Sequence, residues 1–218
     1  MRLVTLVHLQ PGASPARTAE LEAVVAGLPN EVAALSRVHL GKHLPGCVGG
    51  GDYTLDALID GGAARSVLEA PSLRALIEAG DVIERLDPVA FEPQHVKIAE
   101  PGIAPCIKRT LLLRVFPETP AEVAQHFERD ILRMPNHIDS IRNWSLARTD
   151  TTACPTAWTH VWEQEYADVS GLEVDYMMHP YHWGLVDGWF DPECPQRIVD
   201  SNIAHVYCPA AETILGWK

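Results

Sequence analysis

Leucine and valine, interrupted by single polar residues, make up most of residues 2–10, and this pattern predicts a first β-strand. Ser14-Pro15 then begins an amphipathic helix, because serine is a common N-cap and proline fits the first position of a helix. The rest of the first half predicts strands at residues 36–43, 53–59 and 94–98 and a helix at residues 63–79. The order of elements in the first half is therefore βαββαβ.

The same order of signals returns after residues 99–105, a linker rich in proline and glycine. Thr119-Pro120-Ala121-Glu122 has the residues of a capping box and predicts the first helix of the second half. Further matching pairs, 105 to 110 residues apart, are Leu28-Pro29-Asn30 with Met134-Pro135-Asn136, Tyr53-Thr54 with Trp158-Thr159, Pro71 with Pro180, and His95-Val96 with His205-Val206. We therefore predict two repeats, residues 1–100 and residues 106–218.

Each predicted repeat has the order of a ferredoxin-like unit, in which helices cover one face of an antiparallel sheet and leave the other face apolar. Two such apolar faces are expected to bury each other. The sequence therefore predicts an α+β fold in which two ferredoxin-like βαββαβ repeats form a dimeric α+β barrel within one chain. Pairing of this pseudo-dimeric chain into a further homodimer stays open.

The two repeats differ in the residues that could carry chemistry. All six tryptophans lie in the second repeat, and His160 there takes the place of Leu55. His179-Pro180-Tyr181-His182 likewise takes the place of Ala70-Pro71-Ser72-Leu73. A purely structural repeat has no need of this asymmetry, so we expect the first repeat to be a scaffold and the second to hold a site.

Residues 176–189 hold two histidines, two tyrosines and two tryptophans. Because proline removes a backbone donor, Pro180 predicts two helical pieces with His179 at their junction. Helical spacing predicts that Tyr176, His179 and His182 converge. His179 precedes the proline and could instead cap the second piece.

His182 and Tyr176 each have a chemical and a structural interpretation. An imidazole titrates near neutral pH, so His182 could act as a base, and burial would lower its pKa and keep it neutral. Tyr176 could donate a hydrogen bond to a developing oxyanion. Alternatively, His182 holds the helix junction and Tyr176 is a helix residue with a solvated hydroxyl.

The predicted strand at residues 157–166 has one strongly aromatic face. Alternation places on that face Trp158, His160, Trp162, Gln164 and Tyr166. Such a face fits a flat pocket wall for an aromatic substrate, and it equally fits a core of large residues with His160 hydrogen-bonded inside it. Arg114, on the strand that opens the second repeat, could bind a substrate carboxylate or phenolate, or could be ion-paired.

The charge balance excludes several function classes. The chain has 17 Lys and Arg against 29 Asp and Glu, a net charge of -12 that repels phosphate backbones and anionic lipids, so we expect neither nucleic acid nor a membrane as partner. The N-terminal residues lack the apolar core of a signal peptide, and no apolar run reaches membrane-spanning length, so we expect a cytoplasmic protein. P-loop, G-x-G-x-x-G and G-x-S-x-G motifs are absent from the sequence.

Cysteine and histidine spacing argues against a metal. The five cysteines are widely spaced without a C-x-x-C pair, so we expect reduced thiols instead of disulfides or a zinc ribbon. The ten histidines form no H-E-x-x-H motif and no facial-triad spacing. We therefore predict neither a metal nor another cofactor, although four residues could still meet in space: His160, His182, His205 and Glu163.

Thr159-His160-Val161 on the third strand and Tyr176-x-x-His179-Pro180-x-His182 in the last helical segment, within a doubled βαββαβ order, resemble the stress-responsive A/B barrel (Dabb) family. Members are usually single-repeat homodimers, and this chain looks like a fused tandem version. The second repeat is also similar to olivetolic acid cyclase, a plant polyketide cyclase, although Lys108-Arg109-Thr110 stands where that cyclase has a further histidine. This resemblance implies that His182 is a general base, that Tyr176 polarises a substrate carbonyl, and that His160 lines or orients the site.

The resulting hypothesis is a cofactor-independent acid–base enzyme, a lyase or cyclase, that acts on an aromatic or polyketide-like small molecule through an enolate or carbanion. The reaction would be an aldol-type C–C bond formation or the reverse cleavage or elimination. We expect catalysis by His182, Tyr176 and His160, and substrate binding by Trp158, Trp162, Trp183, His179 and Arg114. The alternatives are a noncatalytic stress-associated protein that binds an aromatic ligand and an oxygenase related to other dimeric α+β barrels.

Overall fold

Two antiparallel sheets with helices packed on them form the protein in the computed structural model, which describes residues 1–61, 64–150 and 154–218. The first sheet has the strand order β2-β3-β1-β4, from β1 (Arg2–Leu9), β2 (Leu35–Lys42), β3 (Tyr53–Ile59) and β4 (Ile83–Phe91). Three helices accompany it: α1 (Pro15–Glu31), α2 (Ala64–Leu68) and α3 (Pro71–Ala79).

The second sheet has the order β5-β7-β8-β6-β9. Its strands are β5 (His95–Ile98), β6 (Cys106–Leu113), β7 (Asn143–Arg148), β8 (His160–Tyr166) and β9 (Ala204–Ala210). Its helical elements are α4 (Ala121–Arg133), a 3-10 turn (Met134–Asn136), two π-helical turns (Gly171–Tyr176 and His182–Val186) and a second 3-10 turn (Asp187–Trp189). Without β5, the second sheet repeats the strand order of the first, so the predicted α+β class with ferredoxin-like sheets is confirmed, and the two sheets are consistent with a pseudo-dimeric repeat.

The prediction that residues 94–98 close the first sheet is wrong. β4 closes that sheet by pairing with β1, whereas β5 pairs with β7 in the second sheet. Pro88 lies in β4 and hides its strand pattern, but proline is tolerated there because β4 is an edge strand. His95 and His205, matched in the sequence, therefore lie on opposite edge strands of the second sheet.

The helix boundaries follow local signals in part. The Ser14 side chain caps α1 as predicted, by accepting a hydrogen bond from the backbone of Arg17. The predicted capping box at Thr119 is wrong, because α4 begins after Pro120 and, in this described part of the chain, has no side-chain cap. The helix predicted at 63–79 is two helices, broken before Pro71; residue 63 lies outside the described residues.

Three layers of apolar side chains hold the sheets and helices together. α1 and α3 pack on one face of the first sheet, and α4 with residues 171–190 packs on one face of the second. The other faces of the two sheets bury each other through Val4, Leu6, Val89, Phe91, Leu112, Ala147, Val161, Ala204 and Val206. We call residues 171–190 the covering segment.

A buried cluster of charges also lies between the sheets. Nζ of Lys108 is 2.6 Å from Asp56 and 3.0 Å from Glu163. Nη2 of Arg2 is 3.1 Å from the same two carboxylates. Because side chains alternate along a strand, Lys108 points between the sheets and the next residue, Arg109, points to the covering segment.

Candidate active site

A cavity of about 260 Å³ lies between the second sheet and the covering segment. Most of its wall is apolar, and its polar groups come from a few side chains. The lining residues are Val48, Arg109, Leu111, Ile131, Met134, Trp162, Tyr176, Met177, His182, Val186, Asp187, Phe190, Ile203 and His205. A small apolar space with a few convergent polar groups is typical of a small-molecule site.

Three adjacent strands form the floor of the cavity. Leu111 of β6 pairs with Trp162 of β8 on one side and with His205 of β9 on the other. These three side chains therefore form a row across the sheet, and Arg109 lies two residues from Leu111 on the same face. The register of the sheet thus fixes the spacing between an indole, an imidazole and a guanidinium.

The first half of the chain contributes Val48 to the cavity wall. Its glycine-rich loop, residues 46–51 between β2 and β3, reaches β9, where Val48 exchanges two backbone hydrogen bonds with His205, of 2.8 and 2.9 Å. The loop approaches closely because Gly49 has φ +74° and a Cβ there would lie 2.1 Å from the Ile203 carbonyl oxygen. Val48 is thereby placed at the cavity beside His205.

The covering segment brings Tyr176 and His182 together. Its first π-helical turn ends with Met177 donating a hydrogen bond to the Leu172 carbonyl, five residues back. A helical piece restarts at Pro180, as predicted, with His179 at the junction. The rings of Tyr176 and His182 then meet edge to face, with centroids 4.6 Å apart. Single π-helical turns are frequent at functional sites.

Burial keeps both cavity imidazoles neutral at pH 7. Burial, Arg109 and His179 lower the pKa of His182 to about 4, and burial, Arg109 and His182 lower the pKa of His205 to about 3. Nδ1 of His182 has no hydrogen-bond partner among the described residues and lies 3.5 Å from Asp187. Burial also raises the pKa of Tyr176, so its hydroxyl stays protonated and can donate a hydrogen bond. The cavity therefore places a neutral base beside a neutral donor.

Arg109 adds a fixed positive charge. It is 3 % exposed, and its guanidinium carbon lies 5.0 Å from the centre of the Tyr176 ring. Nη1 donates a hydrogen bond to Gln164, and Nε has no partner among the described residues.

Comparison with known proteins finds a family match for part of the chain. Residues 107–202 match the family model of the Stress responsive A/B Barrel Domain, Dabb. This segment is a Dabb domain. It contains β6, α4, β7, β8 and the covering segment, so it supplies most of the cavity, while Val48, Ile203 and His205 lie outside it.

Solved structures share the fold over nearly the whole chain. A protein from Fusobacterium nucleatum with the provisional name monooxygenase has a TM-score of 0.61 at 11% identity and covers 98% of this chain and 94% of its own. An anthrone oxidase-like protein has a TM-score of 0.60 at 10% identity, covering 95% and 90%. A chlorite dismutase from Candidatus Nitrospira defluvii has a TM-score of 0.54 at 10% identity, covering 98% and 93%. At such identities the likeness establishes the fold alone. A sequence comparison with curated proteins finds no match.

Among the predicted site residues, the structure brings Tyr176, His182 and Trp162 together in the cavity of the Dabb domain. His160 lies on the same face of β8 as Trp162, as predicted, but does not line the cavity. Its Nε2 lies 2.9 Å from Glu128 of α4, and its Nδ1 lies 2.8 Å from Oγ1 of Thr159. His160 thus connects the start of β8 to α4.

The other four predicted binding residues lie outside the cavity. Trp158 packs between the two sheets, because the chain takes φ +55° at Ala157 and enters β8 only at His160. Trp183 is 60 % exposed on the covering segment. Arg114 forms an ion pair of 2.6 Å with Asp200. The expected wall of three tryptophans is therefore reduced to Trp162.

His179 takes the structural role that the sequence left open. Its Nδ1 accepts a hydrogen bond of 3.1 Å from the backbone of Tyr181, the second residue of the helical piece after the junction. It does not line the cavity with Tyr176 and His182.

Arg109 was missed as a site residue, and His205 was considered only as a residue that could meet others at a metal. The signal was present, since both occupy the helix-facing positions of strands that are otherwise apolar on that face. Arg109 and His205 come together because β6 pairs with β9, and the alternation within a single strand does not predict which strands pair.

Two further findings concern the described residues, 1–61, 64–150 and 154–218. No group of three or more His, Cys, Asp or Glu side chains in them is arranged to hold a metal ion. No helix in them is long and apolar enough to cross a membrane.

Proposed function

We propose that the cavity is the active site of a cofactor-independent acid–base enzyme, a lyase or cyclase, that acts on an aromatic or polyketide-like small molecule. The observation that carries this proposal is the contact between neutral, buried His182 and protonated Tyr176 at an apolar cavity. These two groups are what enolate chemistry requires, namely a base and a donor for the developing oxyanion.

His182 would begin the reaction by taking a proton from the carbon next to a substrate carbonyl. The C–H electron pair moves to form the enolate, and its oxygen accepts a hydrogen bond from the Tyr176 hydroxyl. The imidazolium formed at His182 is stabilised by the new enolate charge and by Asp187, 3.5 Å from Nδ1. This offsets the low pKa that burial gives His182.

The enolate can then react in either direction. In ring closure, its carbon attacks a second carbonyl of the same substrate, and the new alkoxide takes the proton back from His182. In the reverse reaction, His182 takes the proton of a β-hydroxyl group, the C–C bond breaks, and the enolate is protonated on carbon. Both directions use the same base and the same donor.

The fold neighbours support the coarser statement that this is a small-molecule enzyme or a ligand-binding protein. Their names refer to a monooxygenase, an anthrone oxidase-like protein and a chlorite dismutase, which all act on small molecules. The proposed similarity to olivetolic acid cyclase adds the lyase or cyclase class. His160, bonded to Glu128, would act as a positioning residue for α4 in this scheme.

The test is a substrate-depletion screen of purified protein against phenolic and β-keto compounds, read by mass. We expect His182→Ala to lower the rate by roughly 100-fold or more, because a positioned base contributes about 10²–10⁴-fold. His95→Ala, an exposed histidine on β5, is the matched control and keeps full activity. Thermal unfolding of both variants checks the fold. Full activity in folded His182→Ala would refute the assignment.

The apolar wall also favours a second candidate, a noncatalytic protein that binds an aromatic ligand and releases it unchanged. Quenching of Trp162 fluorescence by the same compounds, without any change in their mass, is the outcome that supports it.

A further inference from the structure

We propose that the ligand of this cavity is a planar aromatic acid and that Arg109 binds its carboxylate. This inference rests on the proposed function, because it concerns the same cavity, and it adds the charge and the chemical class of the substrate. A cavity of about 260 Å³ lies below the roughly 300–1,000 Å³ of drug-sized sites, so one or two rings fit it.

The first argument is that Arg109 is a buried cation without a counter-ion. Burying a charge is unfavourable unless an opposite charge accompanies it. The protein follows this rule at Arg2 and Lys108, which are also buried and both contact Asp56 and Glu163. Arg109 forms no ion pair among the described residues, and a neutral amide, Gln164, is its hydrogen-bond acceptor.

The neighbouring carboxylates are directed away from Arg109. Glu163 and Glu165 flank Gln164 on β8, and alternation turns both to the other face of the sheet. Glu163 contacts Lys108, and Glu165 accepts backbone hydrogen bonds from Ile214 and Leu215. The Arg109 side of the sheet is therefore left with a positive charge.

The carboxylate that lines the cavity does not compensate Arg109. Asp187 is 47 % exposed in its side chain and contacts His182, not Arg109. Because His182 and His205 are neutral at pH 7, Arg109 is the cation of the described cavity wall. An anionic ligand group would supply the missing counter-ion.

The shape of the guanidinium selects a carboxylate. Its planar fork of N–H donors matches two carboxylate oxygens, and Nε has no hydrogen-bond partner within the part of the chain that the structure describes. Contact with the Tyr176 ring holds the fork in place. Trp162 and Phe190, on the same cavity, provide aromatic contact for the rings of the ligand.

The test compares two probes of nearly equal shape, 2-naphthoate and 2-naphthamide, by titration calorimetry. We expect wild-type protein to bind the acid roughly tenfold or more tightly than the amide, since hydrogen bonds to charged groups contribute about 1.5–3 kcal/mol. Arg109→Gln should lose roughly 10- to 100-fold in affinity for the acid and little for the amide. Arg109→Lys should retain part of the preference.

Arg114→Gln is the matched control, because it removes a guanidinium just after the end of the same strand but outside the cavity. It should keep the wild-type preference. Equal affinity of the wild type for both probes, or no measurable binding of 2-naphthoate, would overturn the inference. The comparison within wild-type protein holds even if Arg109→Gln does not fold.

Binding of the probes to His182→Ala separates this inference from the proposed function. If wild type and His182→Ala both prefer the acid and no compound is turned over, the aromatic acid site is supported and the proposed enzyme activity is refuted. If neutral compounds are turned over and the acid is not preferred, the enzyme activity is supported and the acid site is refuted.

Discussion

Burial acts differently on the two kinds of basic side chain in the cavity. His182 releases its proton and stays neutral, whereas the Arg109 guanidinium cannot be deprotonated in a protein and keeps its charge. A neutral base and a permanent cation therefore share one apolar space without competing for a proton. Arg109 also helps to keep His182 neutral, because a nearby cation disfavours the imidazolium.

The low pKa of His182 predicts that the protein loses stability in mild acid. The unfolded chain binds this proton near pH 6.5 and the folded protein only near pH 4, so stability falls as the pH falls through this window. The contribution of His182 should be about 2 kcal/mol between pH 7.5 and pH 5. Urea unfolding at the two pH values measures it.

His182→Gln should show a correspondingly smaller loss of stability between the two pH values, while His95→Gln, at an exposed site, should behave as the wild type. His205, whose pKa is also lowered, should leave a residual slope in His182→Gln. An unchanged pH dependence in His182→Gln would contradict the burial of a neutral imidazole at this position.

At the residue scale, the sequence predicted contacts between residues that are close together along the chain. The spacing of Tyr176 and His182 across a proline was enough to place their rings together. It could not place His160, because the choice between the cavity and Glu128 depends on where α4 packs. Arg109 was missed for a similar reason, because its lack of a counter-ion depends on which side chains surround it in the folded chain.

At the element scale, periodicity was reliable within elements and failed at their ends. The alternation predicted for β8 holds from His160 to Tyr166, but it does not extend to Trp158, because Ala157 interrupts the extended chain. β4 was missed because it contains Pro88. Proline normally indicates a break in a strand, but an edge strand tolerates it.

The glycine-rich loop makes an element-scale prediction about the cavity wall. Gly49→Ala should destabilise the protein by about 3 kcal/mol or more, because the new methyl group adds both an unfavourable φ and a clash with the Ile203 carbonyl. Gly12→Ala is the matched control, with φ +85° and open space around it, and should cost about 1–2 kcal/mol.

Urea unfolding measures both glycine variants, and calorimetry with 2-naphthoate reports the cavity. We expect Gly49→Ala to weaken binding, because it moves Val48 away from His205, and Gly12→Ala to leave binding unchanged. Equal effects of the two variants would show that the loop is not held against β9.

At the scale of the whole molecule, the sequence predicted the two-sheet plan because each sheet has one apolar face that must be buried. It did not predict that charges would be buried there as well. Arg2 and Lys108 from one strand of each sheet share two carboxylates, Asp56 and Glu163, that also come one from each sheet. Because a buried charge is costly without a counter-ion, a register of the two sheets that separated these four side chains would be destabilised.

The buried charge cluster predicts a large loss of stability from a single neutral substitution. Among the described residues, Lys108→Met leaves Arg2 as the one cation in contact with Asp56 and Glu163, and it should lower the free energy of unfolding by about 3–5 kcal/mol. Arg74→Ala breaks an exposed pair with Glu78 and should cost less than about 1 kcal/mol. Similar small losses in both variants, measured by urea unfolding, would mean that solvent reaches the cluster.

The bridge between Val48 and His205 gives the cavity a property that separate subunits would not have. One wall residue, Val48, comes from the first half of the chain and the other lining residues come from the second, and a continuous backbone joins them. Two unlinked chains would come apart on dilution, and the fraction of complete cavities would fall with them. Covalent linkage makes the contact intramolecular, so the cavity is as complete in a dilute solution as in a concentrated one.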